Sequence, residues 1–102
     1  MTLTGKQKRY LRGLGHDLSA VVQLGKHGST DAVVAAANAQ LEAHELIKVR
    51  LGQNAVEQRN DAADKLASAT GSQVAQVVGN TFLLYRARRE KPKIQLPPHG
   101  RK

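Results

Sequence analysis

The sequence predicts an α/β fold, a two-layer domain in which three helices alternate with the strands of a four-stranded mixed sheet. Apolar residues recur at helical spacing in three segments, and short runs rich in Val, Ile and Leu follow each segment. Only Gly79-Asn80 separates the last two apolar runs, which is typical of a tight hairpin. The predicted order is α-β-α-β-α-β-β, and 102 residues suffice for one domain.

The first helix is predicted to begin after Thr4, which forms a capping-box pattern with Gln7, and to end near His16. Its apolar arc, expected to face the core, consists of Leu3, Tyr10, Leu11 and Leu14. Its opposite arc carries cations only: Lys6, Lys8, Arg9 and Arg12. A solvated helix face usually mixes both signs of charge, so this arc favours contact with a polyanion.

The middle of the chain predicts two strands around a second helix. A buried strand at 20–24 leads to the helix, which Ser29 or Thr30 caps and which ends near His44. The side chains expected on its buried face are Val33, Val34, Ala37 and Leu41. The next strand, 46–51, alternates apolar and basic residues, so Lys48 and Arg50 share one face.

A third helix is predicted from about residue 56 to 70, after a turn at 52–55, with Gly71 as its C-cap signal. Its inward residues are expected to be Val56, Ala63, Leu66 and Thr70. Strands at 73–78 and 81–86 complete the sheet. Strands joined through a helix are expected to be parallel with right-handed crossovers, and the hairpin strands antiparallel.

The C-terminal part of the chain is basic and proline-containing. From Arg86 onward seven cations face the single acid Glu90, and Ile94 and Leu96 are the apolar residues expected to pack against the body. Residues 1–96 are assigned to the domain and 97–102 to a basic tail. Such a tail either adds affinity for a polyanion or only solubilises the chain.

Composition excludes most enzymatic chemistry. The chain has net charge +8, lacks cysteine and contains no Walker loop, no paired carboxylates and no histidines at metal-ligand spacing. No cofactor and no small-molecule substrate are therefore expected. No apolar run is long enough to span a membrane. The first sixteen residues are basic and acid-free like a transit peptide, but their removal would leave a chain that starts directly on a strand.

The tetrapeptide Gly25-Lys26-His27-Gly28 lies between a strand and a helix. Two glycines allow a tight turn and close approach to a ligand, and the N–H groups at the helix start attract anions. Two glycines there are often turn chemistry alone, yet the basic context favours an RNA-backbone clamp. The three aromatic residues, Tyr10, Phe82 and Tyr85, are too few for a base-stacking platform, so recognition should rest on backbone and shape.

Several motifs together resemble the CRM domain (chloroplast RNA splicing and ribosome maturation), in its stand-alone bacterial form. They are LTGKQK at 3–8, LRGL at 11–14 with His16, VVQLGKHG at 21–28, HELIKV at 44–49, and QVVGNT at 76–81 followed by Leu84-Tyr85-Arg86. The resemblance covers about residues 2–96. It implies a compact α/β domain that binds RNA through its G-x-x-G loop and adjacent basic surfaces. Bacterial members are associated with precursors of the large ribosomal subunit.

The sequence and the resemblance together predict a cytoplasmic, monomeric RNA-binding protein that assists large-subunit assembly. The alternatives left open are a permanent ribosomal protein and a general binder of duplex DNA or membrane surfaces. The predicted RNA-binding residues are Lys6, Lys8, Arg9, Arg12, Gly25, Lys26, His27, Gly28, Lys48, Arg50, Arg86, Arg88 and Arg89.

Overall fold

The computed structural model of the chain describes residues 3–25, 28–52 and 58–97. These ranges contain helices and strands in the predicted order, so the predicted fold class is confirmed. The helices are α1 (Gly5–Gly15), α2 (Asp31–His44) and α3 (Arg59–Thr70). The strands are β1 (Ala20–Leu24), β2 (Leu46–Leu51), β3 (Gln73–Val78) and β4 (Thr81–Tyr85).

The four strands form one mixed sheet in the order β1-β2-β4-β3. β1 and β2 are parallel, as expected for strands joined through a helix. β4 lies between β2 and β3 and is antiparallel to both. β3 therefore has the same direction as β2 without pairing with it, and the turn that returns the chain into β4 uses Gly79 at φ 58°.

The helix ends follow the predicted capping signals. The Thr4 hydroxyl accepts a hydrogen bond from the Gln7 backbone N–H, and the Gln7 side chain accepts one from the Thr4 N–H, both at 3.0 Å. Of the two candidate caps for α2, Thr30 serves, while Gly71 ends α3 at φ 68°. α3 begins at Arg59, later than predicted, and the predicted inward residue Val56 lies outside the described residues.

The larger core lies between the sheet and the pair α2 and α3. Apolar side chains from one face of β2 and β4 meet small and branched side chains of the two helices there, including Leu41 and Leu66, which have no exposed surface. Phe82 and Leu84 point into this core, as their alternation in β4 predicts. The sheet with α2 and α3 makes up the two layers expected from the sequence.

A second, smaller core covers part of the opposite sheet face. Leu3 and Leu11 of the α1 region pack there against Leu46, Ala75, Leu83 and Tyr85. Residues 86–97, called here the C-terminal segment, return to this face and add Ile94 and Leu96, as predicted. The Pro97 carbonyl accepts a hydrogen bond of 2.9 Å from the Gln7 side chain, so this segment is anchored to α1.

Two burial predictions are wrong. Tyr10 and Leu14, expected to face the core, are 42% and 41% exposed, because α1 contacts the sheet along the narrower line of Gln7, Leu11 and Gly15. β1 is only half buried: Val22 and Leu24 face the core, while Ala20, Val21 and Gln23 are exposed. The cause is one-sided packing: α2 covers the face of β1 that carries Val22 and Leu24, whereas the face that carries Val21 borders open space.

Candidate nucleic-acid interface

A groove of about 540 Å³ runs between α1 and the part of the second sheet face that α1 leaves uncovered. We call it the α1 groove. Its charged and polar lining residues come from α1 and its C-cap and from three strands: Arg9, Arg12, His16, Lys48, Gln76 and Thr81. The remaining lining residues are Gly13, Gly15, Val78, Phe82 and Leu83.

The strand register places the sheet side of this groove. Lys48 pairs with Leu83, which pairs with Gln76, so these residues form one row across three strands. The next row consists of Arg50, Thr81 and Val78. Side chains two residues apart on a strand share a face, so both rows point toward α1.

The close approach of α1 to the first row depends on Gly15. A Cβ atom on Gly15 would lie 2.6 Å from one Cδ of Leu83 and 2.8 Å from the other, far inside van der Waals contact. The C-terminal end of α1 therefore rests directly on β4. Arg9 and Arg12 of α1 and Lys48 of β2 thereby line the same groove.

The cations of this region have no acidic neighbours to neutralise them. None of the residues that line the α1 groove is acidic. In the described part of the chain no carboxylate pairs with Arg9, Arg12, Lys48 or Arg50. Lys6 and Lys8 are exposed on α1 outside the groove. Positive charges that lack partners attract an anion without first having to break an ion pair.

Arg50 links the groove to the glycine-rich loop. It pairs with Thr81 on one side and with Gln23 on the other, so it lies close to the carboxyl end of β1. Gly25 follows that end directly. The Gly28 N–H donates a 3.0 Å hydrogen bond to the Gly25 carbonyl. Lys26 and His27 lie outside the described residues.

The backbone conformation favours glycine at one end of the loop and not at the other. Gly28 has φ 68°, a left-handed conformation that side chains disfavour, so a turn alone accounts for a glycine there. Gly25 is exposed, its φ does not need glycine, and nothing lies within 4 Å of where its Cβ would be. Packing does not explain Gly25, whereas close approach of a ligand to the backbone would.

The Arg86 side chain bonds to other elements of the fold. Its guanidinium donates hydrogen bonds to the Asn38 side chain (2.8 Å) and the Thr70 carbonyl (2.7 Å), and it pairs with Glu42 at 3.1 Å. These contacts join β4 to α2 and α3, so the geometry favours a structural role over the predicted RNA contact. Arg88 and Arg89 follow in the C-terminal segment, and neither lines the α1 groove.

Comparison with known protein families shows which family the chain belongs to. Residues 3–86 match the model of the CRS1 / YhbY (CRM) domain. The chain belongs to the CRM domain family.

Relatives of this CRM domain span nearly its whole length. "Probable RNA-binding protein YqeI" of Bacillus subtilis is 45% identical over 95 residues, which cover 93% of this chain and 99% of YqeI. A Haemophilus influenzae protein named "RNA-binding protein" is 40% identical over 94% of this chain and 96% of its own. The solution structure of hypothetical protein SAV1595 from Staphylococcus aureus, 41% identical, superposes with TM-score 0.81 and covers 94% of this chain and 100% of its own.

Three groove residues of this CRM domain escaped the sequence-based prediction. The sequence places His16 at the end of the first helix and Gln76 and Thr81 in strands, and all three lie in motifs of the family resemblance, but none was predicted to contact RNA. A signal for Gln76 was available, because a polar residue among valines marks the less buried face of a strand. Its place in one row with Lys48 depends on β4 lying between β2 and β3 and on the register shift between Val74 and Gln76, which local sequence patterns do not encode.

Two other kinds of site are not found in residues 3–25, 28–52 and 58–97. No helix in these ranges is long and apolar enough to cross a membrane. No three side chains among their His, Asp and Glu residues come together as a metal site would require. The groove between α1 and the sheet is the candidate nucleic-acid interface of the described residues, because it carries their acid-free group of cations.

Proposed function

We propose that this CRM domain binds RNA through the α1 groove and the glycine-rich loop beside it, as a cytoplasmic binding protein rather than an enzyme. The observation that carries the proposal is the convergence of Arg9, Arg12 and Lys48 on one acid-free groove. The names of the Bacillus and Haemophilus relatives support RNA as the polyanion.

In the proposed mode of binding, the cations of α1 and β2 contact phosphates. Each contact displaces counterions from the RNA, which provides affinity independent of sequence. Arg50 continues this charged path toward Gly25, where the backbone and the start of α2 receive a further phosphate. Gln76, Thr81 and His16 supply hydrogen-bonding groups inside the groove for ribose hydroxyls or base edges.

We further propose that the target is ribosomal RNA, bound while the large ribosomal subunit is assembled. The support is the resemblance to bacterial CRM proteins associated with precursors of that subunit. A binding mode based on phosphates and shape suits folded ribosomal RNA, which presents closely spaced backbones rather than free single strands.

The first prediction concerns the cations of the groove. R12Q and K48Q should each weaken binding to a structured ribosomal RNA fragment, and each should lower the slope of log K against log salt by up to about 0.7–0.9. The measurement is fluorescence anisotropy across a salt titration. The matched control is K65Q, which removes an exposed cation from α3 on the far side of the sheet. Equal slopes in R12Q, K48Q and K65Q would contradict the proposal.

The second prediction concerns the loop. G25D should leave the stability unchanged, because the site is open, but should weaken RNA binding by placing a carboxylate where the phosphate approaches. N60D adds the same charge on exposed α3 and serves as the control in the binding assay. If the two variants bind RNA equally well, the loop is not part of the interface.

Sedimentation of cell extracts separates the proposed assembly role from its alternatives. We expect the protein to co-sediment with precursors of the large subunit and to leave as the particles mature. Stoichiometric presence on mature subunits would instead identify a permanent ribosomal protein. Preferential binding of duplex DNA in competition with structured RNA at physiological salt would identify a general nucleic-acid binder.

A further inference from the structure

An uncovered apolar surface lies on the flank of α1 away from the α1 groove. Five large hydrophobic residues in the described ranges have more than a third of their surface exposed: Tyr10, Leu14, Leu18, Val21 and Val78. Tyr10 and Leu14 are one turn apart on α1, Leu18 follows the helix, and Val21 lies on β1. Only Val78 belongs to the α1 groove, so the others have no role in the proposed RNA contact.

Three of these side chains line a groove of their own. Leu14, Leu18 and Val21 surround about 490 Å³ of space together with Leu46, Ile47 and Ile94. We call it the apolar groove. It lies between α1, the β1 edge of the sheet and the C-terminal segment. A contiguous apolar recess at a protein surface is a common feature of sites that bind another macromolecule.

The polar residues around the apolar groove are basic or neutral. They are Ser19, His44, Lys48 and Lys93, and no acid is among the lining residues. Lys48 lies beneath α1 and lines both grooves. The apolar groove is therefore an aliphatic recess whose lining also carries positive charges, and it is complementary to apolar side chains accompanied by carboxylates.

We propose that the apolar groove docks a protein: a short amphipathic segment in which leucine-like side chains are accompanied by Asp or Glu. Aliphatic walls satisfy apolar side chains but offer nothing to the hydrogen-bonding edges of RNA bases. A second copy of this chain would bring two molecules of charge +8 together. Residues 98–102 (PHGRK) provide cations and no branched apolar side chain, so they do not match the groove.

The consequence is a protein with two ligand surfaces on opposite flanks of one helix. The cationic flank of α1 faces the α1 groove, and its apolar flank faces the apolar groove. A docked segment would leave Arg9 and Arg12 accessible to RNA. This proposal does not depend on RNA binding. Lys48 is shared by the two grooves, so each surface is tested through residues that line it alone, Arg12 for the α1 groove and Val21 for the apolar groove.

The test uses a synthetic, fluorescein-labelled helical peptide with leucines on one face and glutamates at the other positions. Two control peptides replace the leucines by serine or the glutamates by lysine. We expect only the leucine–glutamate peptide to bind, measured by fluorescence anisotropy. Amide shifts in an NMR titration of the full chain should concentrate at Leu14, Leu18, Val21 and Ile94. L18S should weaken binding about tenfold, because docking would bury the part of the Leu18 side chain that is exposed in the free protein.

V21S and V78S form the matched pair of variants, because both remove an exposed strand valine, 44% and 55% accessible respectively. V21S should weaken peptide binding and V78S should not. The proposal is overturned if no peptide binds, if the serine peptide binds as well as the leucine peptide, or if V21S and V78S behave alike. It is also overturned if a single-stranded oligonucleotide shifts the same amides, or if the chain dimerises and L18S abolishes the dimer.

Discussion

At the scale of single residues, Glu45 stands out because it is a fully buried acid. It ends α2 with φ 67°, a conformation that costs a non-glycine residue free energy, and none of its surface is exposed. Its carboxylate accepts hydrogen bonds of 2.7 Å from the backbone N–H groups of Arg88, Lys93 and Ile94. One acid thus fixes the course of the C-terminal segment across the second core.

We predict that E45Q lowers the free energy of unfolding by about 1–3 kcal/mol. An amide can place its oxygen at only one of the two carboxylate positions, so at least one of the three N–H groups loses its acceptor and faces an NH₂ donor. Urea denaturation measures the loss. E42Q is the control: it removes the charge of a neighbouring acid whose side chain is 73% exposed, and it should cost no more than about 1 kcal/mol. Equal effects would refute the role assigned to Glu45.

At the scale of elements, the position of α1 creates both grooves. The helix buries only Gln7, Leu11 and Gly15, so a groove is left between the helix and the sheet on each side of this line. A larger residue in place of Gly15 would lift the C-terminal end of α1 away from Leu83. The width of the α1 groove is therefore set by one glycine contact.

We predict opposite effects of the same substitution at two glycines of α1. G15A should destabilise the fold by about 1–3 kcal/mol, because its Cβ would overlap the buried side chain of Leu83. G13A should stabilise it by about 0.4–1 kcal/mol, because nothing lies within 4 Å and alanine favours a helix. Thermal unfolding of both variants gives the comparison, and a destabilising effect of G13A as large as that of G15A would contradict this account.

The elements themselves were largely predictable, because their signals are local. Capping residues, helical spacing and the Gly79-Asn80 turn predict their bounds closely, apart from the start of α3. The burial of Tyr10 and Leu14 was mispredicted because periodicity shows that a helix has an apolar side, not how much of it the sheet covers.

The site was predictable in part. The charges of Arg9, Arg12 and Lys48 are visible in the sequence, but their convergence needs long-range strand order. The engagement of Arg86 by Asn38 and Thr70 likewise joins positions far apart in the chain, which no local pattern reveals.

At the scale of the whole molecule, the sheet separates two hydrophobic cores of unequal size. The larger core is built from aliphatic residues, alanines and Phe82, whereas the smaller one includes Tyr85, 4% exposed, with Glu45 nearby. Burial raises the pKa of the Tyr85 hydroxyl above its ordinary value, and the Glu45 carboxylate raises it further. The neutral phenol is thus the form that the folded state favours.

The sign of this pKa shift predicts where alkali weakens the domain. The unfolded chain loses the Tyr85 proton at about pH 10, before the folded chain does. The contribution of Tyr85 to the free energy of unfolding is therefore constant well below that pH and falls above it. We expect Y85F to remove this part of the alkaline decline in urea denaturation between about pH 8 and 11. Y10F, at an exposed tyrosine, should keep it. A constant stability difference between the wild type and Y85F across this range would disprove the prediction.

The hydrogen bond between Gln7 and the Pro97 carbonyl has a consequence for synthesis of the protein. Within the domain α1 is made before the sheet, yet Ile94, Leu96 and Pro97, which pack against the same core or bond to α1, are made some 80 to 90 residues later. A nascent chain therefore exposes an amphipathic helix with one cationic and one apolar flank while β1, α2 and β2 are already able to associate. We therefore expect chains that have not been translated as far as Pro97 to be more prone to aggregation than the complete domain, because their apolar surface is exposed.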